Sequence, residues 1–146
     1  MPHQPVGPVI ADDAERLYRC VHPKFYDPAD GRISSQAFEV FAKDEGLLSV
    51  HVHARAGSPK EAFERYLRNR GVARPCGVAM VTVGECRALD LPAVHDPVPN
   101  GDPDRPADDA HAVIDFRAHT PRQQEKRWKK LRDAAQMHGL VHVDQT

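Results

Sequence analysis

Two histidines lie one residue apart in a segment that alternates between apolar and polar residues. His51 and His53 flank Val52, and a strand would put both imidazoles on one face, at a spacing that could chelate a transition metal. Zinc needs three or four converging ligands, so His95, His111 or an aspartate would have to complete the site. Because such a pair on a half-exposed strand is typical of solvated surface, the sequence predicts no metal site, with His51 and His53 as the weak candidates.

A third histidine, His111, follows Asp108 and Asp109 at the start of a β-prone segment. A carboxylate there could orient the ring and raise its pKa, which would suit a general acid or base. The alternative is a structural role at the strand entry, because the sequence assigns no nucleophile to His111. The chain contains no GxSxG, HExxH, P-loop or GxGxxG motif, so the local signatures of hydrolases, zinc proteases and nucleotide-binding folds are absent.

The three cysteines are odd in number, widely separated and form no CxxC pair. Cys86 stands beside Arg87 near an expected helix start, and both features lower a thiol pKa. A packed small side chain is nevertheless the favoured role for Cys86. We expect reduced thiols and a cytoplasmic protein.

Basic residues cluster in the last helical segment, where Arg122, Lys126, Lys129 and Lys130 surround Trp128. A stripe of this kind can lie along phosphates, dock on the chain's own acidic loop or simply keep a surface helix solvated. The net charge is -1, so no overall field attracts nucleic acid or an anionic membrane. The solvated face is therefore the favoured interpretation, and a phosphate contact is the alternative.

The elements that position these residues follow from periodicity and from helix end signals. Strands are expected over residues 16–21, 48–53, 77–83 and 112–116. Ser58-Pro59 and Thr120-Pro121 are capping patterns that predict helices over 59–70 and 121–138. Gly71 and Gly139 are the expected helix stops, and the acidic, proline-rich stretch between Asp90 and Asp115 is the expected mobile loop.

Length and composition favour one folded domain. The chain has 146 residues, of which 40% are hydrophobic and 28% charged, and its 13 prolines indicate many loops. We expect a flexible leader over residues 1–11 and a single α+β domain over 12–146, with a mixed sheet of about four to six strands packed by the two helices. No run of 18 apolar residues occurs, so we expect no membrane partner.

Several short motifs carry a resemblance to known proteins. Leu17-Tyr18-Arg19, the segment from Gly31 to Phe38 and Asp109-Ala110-His111-Ala112 look like those of a family of small uncharacterised bacterial proteins. The chain is also distantly similar to ADP-ribosyltransferase-like folds, including RES-type toxins, whose first strand carries an arginine after Leu-Tyr.

The second resemblance implies specific roles for three residues. Arg19 would contact the phosphates of NAD, and Ser34 or Ser35 would hold the nicotinamide ribose. No Gln/Glu-x-Glu motif supplies the acid that would polarise the ribose, so such a fold could serve as a binding domain without catalysis.

Three functions remain open from the sequence, which does not decide whether the protein is an enzyme. The first is a non-enzymatic interaction or accessory module of a bacterial multi-protein system, such as a conflict or defence system, with a protein partner and no cofactor. The second is an NAD-using enzyme or toxin with Arg19, Ser35 and His111 in its pocket. The third is a nucleic-acid-binding accessory protein that uses Lys126, Lys129 and Lys130.

Overall fold

A computed structural model describes residues 3–69 and 71–145. Strands and helices are numbered in chain order within the described residues. The strands are β1 (Arg16–Val21), β2 (Tyr26–Asp27), β3 (Arg32–Ile33), β4 (Leu47–Val52), β5 (Gly77–Thr82), β6 (Ala93–His95), β7 (His111–Asp115) and β8 (His142–Val143). The helices are α1 (His53–Ala56), α2 (Pro59–Leu67), α3 (Val83–Arg87) and α4 (Pro121–His138), and three single 3-10 turns cover Pro23–Phe25, Ser35–Phe38 and Ala42–Asp44.

Six of the strands form one sheet in the order β6-β7-β4-β1-β5-β8, and β2 and β3 form a separate small hairpin. The expected α+β class and the expected number of strands are confirmed. The pairing differs in one respect, because every described strand pair is antiparallel rather than mixed. β4 and β5 both run antiparallel to β1 and so point the same way, but β1 lies between them and no parallel pair forms.

The two faces of the sheet are covered by different helices. Leu17 and Val21 of β1 belong to the larger apolar cluster, to which α4 contributes Leu131 and Ala135. Tyr18 alternates to the other face and packs in a smaller cluster with residues of α1 and α2. α4 and α2 therefore lie on opposite faces of the sheet, and both faces are buried.

The expected bounds of α4 are confirmed at both ends. Thr120 and Gln123 form the predicted capping box, Pro121 is the first helical residue, and Gly139 ends the helix with a φ of 70°. Thr120 Oγ1 accepts from the Gln123 amide at 3.3 Å, which satisfies one of the free amides of the first turn.

α2 begins where it was predicted but ends earlier than residue 70, which lies outside the described residues. Ser58 Oγ accepts from the Glu61 amide at 3.1 Å and caps the start. The helix ends at Leu67, because the amides of Arg68 and Asn69 bond three residues back and the Asn69 side chain donates to the Tyr66 carbonyl at 3.0 Å. This tight last turn replaces the glycine stop that the sequence predicted.

The segment expected to be a flexible leader is hydrogen-bonded along β6 in its described part. The amides of Gly7 and Ile10 donate to the carbonyls of His95 and Ala93 at 2.7 and 2.8 Å, and Ile10 is buried. The edge of β6 offers these acceptors, and burial of Ile10 offsets the entropy of ordering the segment. The acidic loop is likewise closed at its base by paired hydrogen bonds between Val98 and Asp108.

Within the described residues, no helix is both long enough and apolar enough to cross a membrane.

We expect the packing of α4 to dominate stability. Leu131→Ala should lower the free energy of unfolding by about 3 kcal/mol, because Leu131 lies on the face of α4 that packs on the sheet and is fully buried. Met137→Ala is the matched control on the same helix, where the side chain is 87% exposed, and it should change stability by less than about 0.5 kcal/mol. Urea denaturation measures both, and equal destabilisation by the two variants would contradict this packing.

Candidate functional site

The sheet opens between β1 and β4, and the side chain of Arg19 lies in the opening. The two strands pair at Leu17 with Val52 and at Tyr18 with His51, where their register ends. Arg19 Nε then donates to the Ala37 carbonyl at 3.0 Å and Nη1 donates to the Ser49 carbonyl at 2.9 Å. The guanidinium thus bonds to the β4 backbone just beyond the last paired residues of β1 and β4.

The surroundings of Arg19 are polar but poorly hydrated. Burial lowers the pKa of Arg19, whereas Tyr66, Asp44 and Cys20 act to raise it. The guanidinium stays charged at neutral pH, because its ordinary pKa lies above 12. Burial also raises the pKa of the Cys20 thiol to about 12, so this thiol stays protonated and is a poor nucleophile.

An open cleft of about 490 Å³ lies in front of Arg19, and we call it the ligand cleft. Its volume falls within the range of small-molecule sites. Among the described lining residues, positive charge comes from Arg19, Lys24 and Lys43, and the carboxylate of Asp44 opposes it. Its remaining lining residues include three aromatic side chains, Phe25, Phe41 and Tyr66.

Local hydrogen bonds fix the walls of the ligand cleft. Asp44 Oδ2 accepts from the Phe41 amide at 2.9 Å, so the carboxylate stabilises the 42–44 turn that presents Lys43. On the opposite wall, His22 Nδ1 accepts from the Lys24 amide at 3.1 Å, and the Lys24 ammonium lies 5.2 Å from the centre of the Phe25 ring. Both lysines are exposed, and among the described residues neither has an ion-pair partner.

A second cavity of about 360 Å³ shares Tyr66 with the ligand cleft, and we call it the histidine cavity. Its wall includes Ser49, His51, Arg105 and His111. His111 Nε2 lies 3.1 Å from Ser49 Oγ, and His111 Nδ1 lies 2.7 Å from the backbone carbonyl of Asp96. The ring of His111 is therefore held at both nitrogens.

His51 forms a separate cluster in the same cavity. His51 Nε2 donates to Asp108 Oδ2 at 2.6 Å, and Arg65 Nη1 donates to Asp108 Oδ1 at 2.9 Å. Burial alone would raise the pKa of Asp108, but the hydrogen bonds from His51, Arg65 and the Ala110 amide hold it well below its usual range. The side chains of His51, Asp108 and Arg65 are all largely buried.

Neither Asp108 nor Asp109 orients His111. The sequence left open that one of these carboxylates could hold the ring and raise its pKa, but Asp108 binds His51 and Asp109 binds Arg65. Burial instead lowers the pKa of His111, with smaller contributions from Arg105 and His51, although Asp96 acts to raise it.

The candidates for an NAD site are only partly brought together. Arg19 and His111 both contact Ser49, the first at its carbonyl and the second at its hydroxyl. Ser34 Oγ instead accepts from the Gln36 amide at 3.2 Å as a helix cap, and Ser35 lines two other depressions, with Arg32 in both. The two serines therefore lie outside the cavity that holds His111.

The two candidate metal ligands do not share a strand face, because β4 ends at Val52 and His53 is the first residue of α1. The two rings have different partners, because His53 Nδ1 lies 2.6 Å from the hydroxyl of Tyr18, whereas His51 Nε2 donates to Asp108. Across residues 3–69 and 71–145, no group of three or more His, Cys, Asp or Glu side chains is placed to hold a metal ion.

The basic residues of α4 remain at the surface. Arg122, Lys126, Lys129 and Lys130 are all exposed, and Lys129 pairs with Glu125 at 3.3 Å. Two carboxylates of the acidic loop, those of Asp108 and Asp109, instead bind Arg65 of α2 on the opposite face of the sheet.

Sequence reasoning missed Ser49, Asp96, Lys43 and Tyr66. The alternation of β4 already placed Ser49 on the same face as His51, so this signal was available. No local pattern could have joined Asp96 to His111, because they meet only through the pairing of β6 with β7. Cys86 is buried and burial raises its pKa to about 12, which agrees with the packed role favoured for it.

Comparisons with protein families, curated proteins and solved structures find no match for this chain.

We expect Asp108→Asn to lower the free energy of unfolding by about 3 kcal/mol at pH 7, because the buried His51 and Arg65 lose the charged carboxylate that accepts their hydrogen bonds, and Arg65 is left with the exposed Asp109 as its counter-charge. Since the pKa of Asp108 is depressed in the folded state, its stabilisation is complete above a pH of about 4 and is lost as the pH falls toward the folded-state pKa. The difference between wild type and variant should therefore shrink below that pH.

Asp109→Asn is the control, because Asp109 binds the same arginine at 2.6 Å but its side chain is 71% exposed. It should cost less than about 1 kcal/mol. Urea denaturation between pH 3.5 and pH 7 measures both variants, and a pH-independent destabilisation by Asp108→Asn would contradict the assignment.

Proposed function

We propose that the protein is a binding module whose ligand cleft takes an anionic ligand of the nucleotide class. The observation that carries this proposal is the combination of cations and aromatic rings around one cleft of about 490 Å³. Phosphates require basic side chains, and bases or nicotinamide rings stack on aromatic side chains. A nucleotide carries both of these groups.

The cations of the ligand cleft would have different roles in binding. Lys24 and Lys43 are exposed, and neither forms an ion pair with any residue that the structure describes, so their ammonium groups can contact phosphate oxygens. Arg19 already donates to two carbonyls, so it contributes mainly a fixed positive charge at the floor. A fixed charge with little solvent around it attracts an anion more strongly than the same charge in water.

The proposal includes NAD as one member of the ligand class without requiring the full ADP-ribosyltransferase site. That alternative places Ser34 or Ser35 on the nicotinamide ribose, and the separation of both from the cavity of His111 argues for binding rather than transfer chemistry of that type. Membership of a bacterial multi-protein system, with a protein partner, stays a prediction. In such a system the partner would recognise the ligand-bound form of this protein.

We expect Lys43→Glu and Lys24→Glu each to weaken binding of ATP on the order of tenfold, because each replaces a phosphate contact with a repulsive charge. Isothermal titration with ATP, NAD and adenosine measures this, and adenosine binding should change little. Lys60→Glu is the matched control, because Lys60 is an exposed lysine on α2 outside the cleft lining. Absence of ATP and NAD binding to the wild type at millimolar concentration would refute the proposal.

A second function has its own observation, which is the uncovered basic stripe of α4. Within the described part of the chain, the side chains of Arg122, Lys126 and Lys130 have no ion-pair partner. Lys129 also lines a depression with Arg32, and Arg32 lines the next depression with Lys24 of the ligand cleft. An extended anionic strand could follow this series of basic side chains.

The double variant Lys126→Glu/Lys130→Glu tests this second function. We expect it to weaken binding of a single-stranded oligonucleotide and to reduce the slope of log K against log salt by about 0.7 for each phosphate that the variant no longer neutralises. Fluorescence anisotropy at several salt concentrations gives both quantities, with Lys60→Glu again as control. Wild-type affinity that is negligible at low salt would exclude nucleic acid as a partner.

A further inference from the structure

We propose that Ser49 is an activated nucleophile, with His111 as its general base and Asp96 as the residue that orients the base, and that it reacts with small ester substrates in the histidine cavity. This activity goes beyond ligand binding and does not depend on it. The sequence offered no nucleophile for His111, whereas the structure brings a hydroxyl within 3.1 Å of its Nε2.

The hydrogen-bond partners of His111 decide which nitrogen carries the proton. The backbone carbonyl of Asp96 lies 2.7 Å from Nδ1, and a carbonyl oxygen can only accept. Nδ1 must therefore carry the hydrogen, which leaves the lone pair of a neutral ring on Nε2. That lone pair faces Ser49 Oγ, so the hydroxyl donates to it, as a nucleophile does to its base.

Asp96 is itself held in place. It is 2% exposed, its Oδ1 accepts from the Val6 amide at 3.1 Å, and its Oδ2 accepts from His3 Nε2 at 2.7 Å. The same Oδ2 lies 3.5 Å from His111 Nδ1, close enough to stabilise an imidazolium electrostatically. The base is thus oriented by a carbonyl and faces a buried carboxylate.

The environment also keeps His111 in the state that the chemistry needs. The ring is 5% exposed, and burial lowers its pKa, so it is neutral and able to accept a proton at neutral pH. Ser49 is exposed, unlike its neighbours Leu48 and Val50 on the other face of β4. Arg105 lines the same cavity and would face the negative charge that develops on a substrate oxygen.

The proposed reaction balances without a further reagent except water. Ser49 Oγ forms a bond to the carbonyl carbon of the ester as its proton passes to His111 Nε2. The bond from that carbon to the alcohol oxygen then breaks, and His111 returns the proton to the departing alcohol. In the second half of the reaction, water attacks the same carbon as its proton passes to His111 Nε2. The bond from that carbon to Ser49 Oγ then breaks, His111 returns the proton to Ser49, and the acid is released.

An alkyl fluorophosphonate tests the nucleophile directly on the full chain. Ser49 Oγ would form a bond to phosphorus, fluoride would leave, and the hydroxyl proton would pass to His111. Intact mass and peptide mapping should show one adduct, on Ser49, that Ser49→Ala abolishes and Ser35→Ala leaves unchanged. His111→Gln should slow labelling on the order of 100-fold. Wild-type protein that acquires no adduct at Ser49 would overturn the proposal.

The pH profile of labelling gives a measurement that does not depend on the folding of any variant. Among the described residues, the charged and titratable groups around His111 include Asp96 with His3 bound to its carboxylate, and His51 with Asp108 bound to its ring. Arg105, Asp104 and Tyr66 line the same cavity. The labelling rate should level off at neutral pH and fall in acid, with a midpoint below the ordinary histidine pKa of about 6.5. A rate that rises steadily with hydroxide concentration would mean an unassisted hydroxyl and would overturn the proposal.

Separate variants distinguish a failure of the nucleotide-binding proposal from a failure of the Ser49 proposal. Lys43→Glu, which weakens nucleotide binding if the ligand cleft is correctly assigned, should label at the wild-type rate. Ser49→Ala, which cannot be labelled, should bind ATP as the wild type does. Slow labelling of His111→Gln with unchanged circular dichroism identifies the base rather than a general loss of structure.

Discussion

The guanidinium of Arg19 bonds to the backbone of β4 at the point where the backbone pairing of β1 with β4 ends. β1 and β4 pair at two positions and then part, and Arg19 of β1 donates to the Ser49 carbonyl of β4 and to the Ala37 carbonyl of the 35–38 turn. The ligand cleft lies in front of this opening, and the Ser49 carbonyl is fixed by it. Arg19 thus lines the ligand cleft directly and meets the histidine cavity only through the backbone of Ser49.

The acidic residues near the histidines serve two separate pairs. Asp108 accepts from His51 and Arg65, whereas Asp96 accepts from His3 and orients His111 through its carbonyl. In the first pair the carboxylate is held charged by donors, so its role is structural. In the second pair the ring is held neutral by burial, and a neutral imidazole with a free lone pair is the form that can accept a proton.

Local sequence patterns predicted the elements better than the site. The bounds of β1 and α4 followed from apolar periodicity and from the Thr120 capping box, because both signals lie within a few residues. The partner of His111 could not follow in this way. Asp108 was the nearer carboxylate in sequence, but the register of β6 against β7 brings Asp96 to the ring instead. Long-range register therefore decides which residue meets His111, and no local motif records that register.

The pairing of residues 7–10 with β6 affects how this protein can meet other chains. Amides at positions 7 and 10 occupy the carbonyls of His95 and Ala93, and the His95 amide donates to Pro8. An edge strand with open hydrogen-bonding groups is a template for adding a foreign strand, but these groups on β6 are already used. A foreign strand could therefore pair with β6 only by displacing residues 7–10, and the cost of that exchange protects this edge of the sheet from unselective pairing with extended peptides.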